Sequence, residues 1–265
     1  MYNDYRLDGS YSIVDLLRII EILRGDNGCP WDREQDHHSI RNNFLEETYE
    51  VLDAIDRDDV ENLREELGDV LLQVVFHSRM EEEAGRFGFK DVCGRICKKL
   101  ILRHPHVFGD VRAETSAEVL NNWDEIKKKE KGQDTFTDTL NSVPRAFPAL
   151  MRAAKVQKRA AKAGFDWADC AGAMDKLEEE MAELEAARTD GSAEETLEEM
   201  GDLLFSMVNV SRFLHCDPEE ALTKATDKFI RRFAKVERLA AEKGLDMRSA
   251  SMTELDKLWE QAKQC

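Results

Sequence analysis

The chain has 265 residues, with 38 Lys and Arg against 55 Asp and Glu, a formal net charge of −17 and 42% hydrophobic residues. That length supports two domains with separate cores. No apolar run reaches the roughly 18 residues of a membrane span, and the excess of acid argues against a protein that grips nucleic-acid backbone directly. A phosphate-bearing substrate stays open, because carboxylates can hold a polyphosphate through a bridging cation.

The start, Met1 to Ser10, is polar and acidic and lacks the basic-then-apolar order of a signal peptide, so the cytoplasm is the expected compartment. Ile13, Leu16, Leu17, Ile20 and Leu23 then form the stripe of an amphipathic helix over 12–23, which Asn27-Gly28-Cys29-Pro30 stops. Further helices are expected over about 39–57, 60–85 and 91–104. Pro105 ends the last of these, since proline disfavours helix in the residue before it. Nothing alternates with hairpin turn chemistry, so the expected class is all-α. From Lys127 the amphipathic pattern dissolves into a charged run and two prolines, and it resumes after Pro148. The expected organisation is a module over 1–126, a linker over 127–150 and a second module over 151–265.

The two modules repeat one another. Glu46-Glu47-Thr48-Tyr49-Glu50 reappears as Glu179-Glu180-Met181-Ala182-Glu183, and Glu65-Glu66-Leu67-Gly68-Asp69 as Glu198-Glu199-Met200-Gly201-Asp202. Both pairs are offset by 133 positions (179 − 46 and 198 − 65). Lys99 and Arg103 are echoed by Lys228 and Arg232, and Trp123 by Trp259.

Residues three or four apart share a helix face. Glu47 with Glu50, Glu66 with Asp69, Glu180 with Glu183 and Glu199 with Asp202 therefore point the same way, with Glu46 and Glu179 beside them. The second pair of each copy lies on an apolar helix (Leu67, Val70, Leu71, Val74 and Val75; Leu203, Leu204, Met207 and Val208), expected to be buried. Buried carboxylates facing one another are costly unless paired or ligated, few basic residues lie on these faces, and all-oxygen ligation favours Mg²⁺, with Mn²⁺ a possible substitute. Gly68 and Gly201 are expected to let a neighbouring helix approach. The competing reading is a solvated acidic face with i,i+4 ion pairs; it suits Glu61–Glu66 alone but not four acids at fixed spacing on an apolar helix, stated twice.

Lys228 and Arg232, one turn apart, either clamp phosphate oxygens or are solvated surface. A single Glu34-x-x-His37 has the spacing of a di-iron ligand pair, but such a site needs it twice, so His37 and His38 are expected at a helix entry. His104 and His106 are expected to order the turn at Pro105. The six cysteines make no CxxC pair or zinc spacing, and no Gly-rich phosphate loop is present.

At these residues the sequence resembles the MazG family of nucleoside triphosphate pyrophosphohydrolases over nearly its whole length. The match is carried by Gly28-Cys29-Pro30-Trp31-Asp32, by Asn43-Phe44-Leu45-Glu46-Glu47-Thr48-Tyr49-Glu50-Val51, by Glu66-Leu67-Gly68-Asp69 and by Arg103-His104-Pro105-His106-Val107-Phe108. The resemblance implies tandem MazG-like modules with four-helix-bundle cores, a homodimer, Mg²⁺ dependence and attack by water at the α-phosphorus of a nucleoside triphosphate. It implies Glu180, Glu183, Glu199 and Asp202 as the metal ligands of the main catalytic copy, with Glu47, Glu50, Glu66 and Asp69 their counterparts. Lys176, Lys228 and Arg232 would contact phosphates and Trp259 the nucleotide, while Glu179 or Glu180 would orient or deprotonate the water. Lys176 corresponds to Asn43, so the first copy lacks one phosphate contact. Relatives often carry a lysine where this chain has Glu194-Glu195, a departure that bears on substrate preference more than on the reaction. The alternative reading is a catalytically silent nucleotide-binding regulatory protein; a di-iron oxidase, and a chain whose first copy alone is active, are further rivals.

Overall fold

The computed structural model describes residues 5–112 and 135–263 together with Thr115, Glu118, Val119, Trp123 and Ile126. Residues 127–134 of the expected linker, Met1 to Asp4 of the polar start, and Cys265 lie outside the described residues. Twelve helices and no strand occur among the described residues, as the all-α expectation requires. The chain divides into two compact units, Met1–Lys127 and Lys128–Cys265.

The first unit opens with α1 (Ile13–Arg24), whose Ser12 N-cap donates its backbone N–H to Asp15 at 2.8 Å in a capping box. Proline at N1 starts the short α2 (Pro30–Glu34). Helices α3 (Arg41–Asp56) and α4 (Val60–Glu83) follow, joined by three residues and packed along each other as a hairpin. Gly85, at φ 68°, supplies the left-handed turn that ends α4. Next come α5 (Phe89–Arg103) and the single turn α6 (Pro105–Phe108). Ile20, Ile40, Val75, Phe76 and Met80 form the core under α1, α3 and α4.

The second unit begins inside the stretch expected to be linker. There, α7 (Phe136–Asn141) is capped by Thr135 and packs on α8 (Ala149–Lys162), and Arg159 donates to Ser142 Oγ at 2.6 Å and to the Thr139 carbonyl. Val143 is buried. A second long hairpin joins α9 (Cys170–Asp190) to α10 (Ala193–Phe213). Asp169 caps α9, and Ser192 with Glu195 makes a capping box at α10. Helix stability thus accounts for the acid at Glu195. Finally α11 (Pro218–Glu242) packs on α12 (Met252–Lys263).

The repeat extends to the core, since Val75 and Val208, 133 positions apart, are each 1% exposed at the centre of their hairpins. Two expectations are corrected. The apolar helices bearing the second acid pairs are only half-buried, with Leu67 52% and Leu204 51% exposed. Gly68 and Gly201 admit no close neighbour either, because a Cβ at either position would meet nothing within 4 Å. The two differences go together: among the described residues nothing packs against Gly68 or Gly201, and Leu67 and Leu204 near them stay open to solvent.

Candidate active site

The α9–α10 hairpin brings three acids of the second copy to one point. Ligand oxygens of Glu180, Glu199 and Asp202 lie within 4.8 Å of one another. Glu180 is 5% exposed, Asp202 lies at the rim, and Glu183 stands close enough to Glu199 to be the largest charge acting on it. The Glu199 carboxyl is raised above its ordinary range, first by desolvation and then by Glu183, Glu180 and Asp202. The α3–α4 hairpin repeats the arrangement with Glu47, Glu66 and Asp69. There the Glu47 and Glu66 carboxyls are raised, first by desolvation and then by their acidic neighbours, Glu50 and Asp69 among them. Each cluster is thus strained by its own charge, and its all-oxygen donor set fits a hard divalent cation.

The copies differ at one cation. Lys176 Nζ lies 2.6 Å from Glu180 and 2.8 Å from Glu179, and both hydrogen bonds push its ammonium pKa up. The expectation that few bases pair with these acids is therefore corrected for the second copy. Asn43 stands at the equivalent place in the first, which leaves that cluster without the ammonium its copy has. Glu179, with 58% of its side chain exposed, sits at the rim.

Lys228, Arg232 and Trp259 form a separate group on α11 and α12. The Arg232 guanidinium lies 6.0 Å from the Trp259 ring centroid, and Phe229 packs on the same ring at 5.2 Å. Among the described residues no hydrogen bond or ion pair joins these three side chains to the four acids. In the first copy His104 takes the place beside Trp123, at 5.4 Å.

One cluster escaped the sequence. His37, at the entry to α3, approaches His77 with Nδ1 atoms 2.7 Å apart and Glu81 at 2.6 Å. Glu81 also takes two hydrogen bonds from Arg86, at 2.5 and 2.6 Å. His77 and Glu81 are one turn apart on α4, but His37 lies 40 residues before His77, beyond the reach of any local pattern.

The sequence profile of the MazG nucleotide pyrophosphohydrolase domain matches residues 35–108 and again 170–237. The chain belongs to the MazG family. Each matched stretch contains one acid-bearing hairpin, and the second also holds Lys228 and Arg232; Trp259 lies beyond it. Similar MazG proteins include the Escherichia coli K12 nucleoside triphosphate pyrophosphohydrolase, 49% identical over 251 residues, 94% of this chain and 95% of that one. The Thermotoga maritima nucleoside triphosphate pyrophosphohydrolase/pyrophosphatase MazG is 45% identical over 249 residues, 94% of each chain.

Proposed function

We propose that this chain hydrolyses nucleoside triphosphates, ribo- and deoxyribo-, to the monophosphate and pyrophosphate, with Mg²⁺ as the cofactor, as a homodimer in the cytoplasm. Such a reaction serves the cleansing or regulation of nucleotide pools. The names borne by relatives 45–49% identical over nearly the whole chain support the reaction class. The observation that carries the reading is the convergence of Glu180, Glu199 and Asp202 within 4.8 Å, with Glu180 buried.

Glu180, Glu183, Glu199 and Asp202 would hold the cation. Mg²⁺, when bound, neutralises the triphosphate and stabilises charge developing at the α-phosphoryl group. Lys176 holds two carboxylates in place; with a cation meeting their charge, its ammonium would be free to contact a phosphate oxygen. Glu179 or Glu180 orients the water for in-line attack and receives its proton. Lys228 and Arg232 clamp the leaving pyrophosphate, and Trp259 lies against the nucleotide. The half-exposed apolar faces at Leu67 and Leu204 support the homodimer, since a second copy would cover them.

The test is a panel of triphosphates incubated with Mg²⁺ and the products separated by chromatography. Glu180→Gln and Glu183→Gln are expected to lower turnover by about 10²–10³, with Glu47→Gln and Glu50→Gln leaving most of it. The reverse pattern would move catalysis to the first copy.

A further inference from the structure

Away from the acid clusters, the loop over 35–40 meets α4 through a pair of histidines. His37 of the loop faces His77 of α4 with Nδ1 atoms 2.7 Å apart, ring planes 6° from parallel and ring centroids 5.0 Å apart. Two imidazoles laid end to end in one plane, nitrogen against nitrogen, give that separation; a face-to-face stack would bring the centroids much closer. One hydrogen therefore lies on the line between the two Nδ1 atoms. A metal ion would draw both lone pairs toward a point off that line, so the geometry suits a proton. His37 Nε2 donates to Glu81 at 2.6 Å, and Glu81 accepts twice from Arg86 of the loop after α4. The Phe44 ring of α3 lies 5.8 Å from that of His77. Beside the pair is a cavity of about 680 Å³, bounded also by Arg41, Phe44, Phe87 and Val92.

The second copy is built differently at this place. Residues 133 after His37, Phe44, His77 and Glu81 are Cys170, Leu177, Val210 and Leu214. Leu177 and Val210 are 6% and 5% exposed and make a core with Ala173. One hairpin is closed here by apolar packing, the other by a hydrogen-bonded chain running from Arg86 through Glu81 and His37 to His77. Of the two, only the chain responds to protons.

We propose that the contact between His37 and His77 is a proton-operated latch, which holds the loop over 35–40 on α4 and releases it when the pair takes up a second positive charge. The pair carries one charge with the contact intact, because the hydrogen between the rings still meets a lone pair. With two charges each Nδ1 holds its own hydrogen, and the two N–H groups are driven apart. The surroundings do not offset the second charge. Glu81 is already shared between His37 and Arg86, and Arg41 at the cavity wall is itself a cation. Asp36 accepts from the backbone N–H groups of His38 and Ser39, both at 2.8 Å, and Asp91 of α5 from that of Gly88 at 3.0 Å. His38 is exposed. Among the described residues no second carboxylate hydrogen-bonds either ring. Burial and then His37 hold His77 below its ordinary value of about 6.5, so the closed latch resists a proton that the open one accepts. Ile40, 4% exposed in the core, follows His37 by three residues and directly precedes α3. Release therefore opens the cavity and loosens the first turn of α3, ahead of Glu47 and Glu50, whether or not the chain cleaves triphosphates.

The experiment is hydrogen exchange of the full chain, read by mass spectrometry and scaled for the intrinsic pH dependence of exchange, beside its His77→Asn variant. Asparagine keeps an N–H donor near the place of Nδ1 and does not titrate. One proton taken up per opening makes exchange in peptides covering 35–41 rise about tenfold between about pH 6.5 and about pH 5.5. The matching stretch of the second unit, 168–174, stays flat, and so does 35–41 in His77→Asn. A flat wild type, or the same rise in the variant, would overturn the latch. If the variant does not fold, NMR titration of the wild-type imidazole nitrogens decides. A coupled pair takes its second proton well below its first, whereas two independent titrations near the ordinary histidine value refute the latch.

Discussion

At Glu199, Glu47 and Glu66 the protein carries carboxyls that resist ionisation, first through desolvation and then through each other. A raised folded-state pKa means that the folded chain binds protons more tightly than the unfolded one. The stability these groups contribute is present in acid and is lost as pH rises through their raised values. A cation in the cluster removes that loss, so Mg²⁺ is expected to raise the melting temperature more at about pH 8 than at about pH 5. An equal shift at both, read by scanning calorimetry, would detach the metal from these acids. Glu81 behaves oppositely. Hydrogen bonds from Arg86, then from His37, outweigh desolvation and hold it at about 2. Its contribution is present above the unfolded value of about 4.5 and is lost as pH falls toward 2. His77, lowered first by burial and then by His37, likewise favours the folded state when neutral. Acid titrations of melting should therefore flatten in Glu81→Gln, and an unchanged acid limb would show that the network is idle.

For the helices, what could be foreseen was what local chemistry determines. The stripe from Ile13 to Leu23, the stop at Asn27-Gly28-Cys29-Pro30 and the acid spacings each sit within a few residues, and helix periodicity turns the stripe and the spacings into shared faces. Pairings that cross the chain could not be foreseen. Gln157 meets Phe205 across 48 residues, and nothing near either one announces it. The sequence also misled where a helix is apolar all round, as at Leu204, because periodicity tells which face avoids water and not what covers it. Capping is the local term with the clearest consequence. Ser192 accepts from the Glu195 N–H at 3.2 Å, so Ser192→Ala should cost about 1 kcal/mol in urea unfolding. Val208→Ala, deeper in the same hairpin, should cost about 2–3 kcal/mol. If Ser192→Ala proves the more damaging, the hairpin is held by its turn and not by its core.

Across the whole molecule, duplication has given two acid clusters with unequal equipment. The second has Lys176 on its acids; the first has Asn43 at the matching place. The acids of the first cluster still converge as a donor set that fits a cation. The uncovered faces predict a sedimenting mass of about twice 30.4 kDa. Leu204→Lys should shift it toward the monomer, because a charge cannot be buried there without a partner; a wild-type monomer would refute the homodimer. The most direct test of the central claim is the product balance of a single triphosphate with Mg²⁺, resolved by ion-exchange chromatography. One monophosphate and one pyrophosphate should form per triphosphate consumed, and Glu180→Gln should lower the rate by about 10²–10³. Release of orthophosphate with a diphosphate, or a Glu180→Gln variant as fast as the wild type, would contradict it.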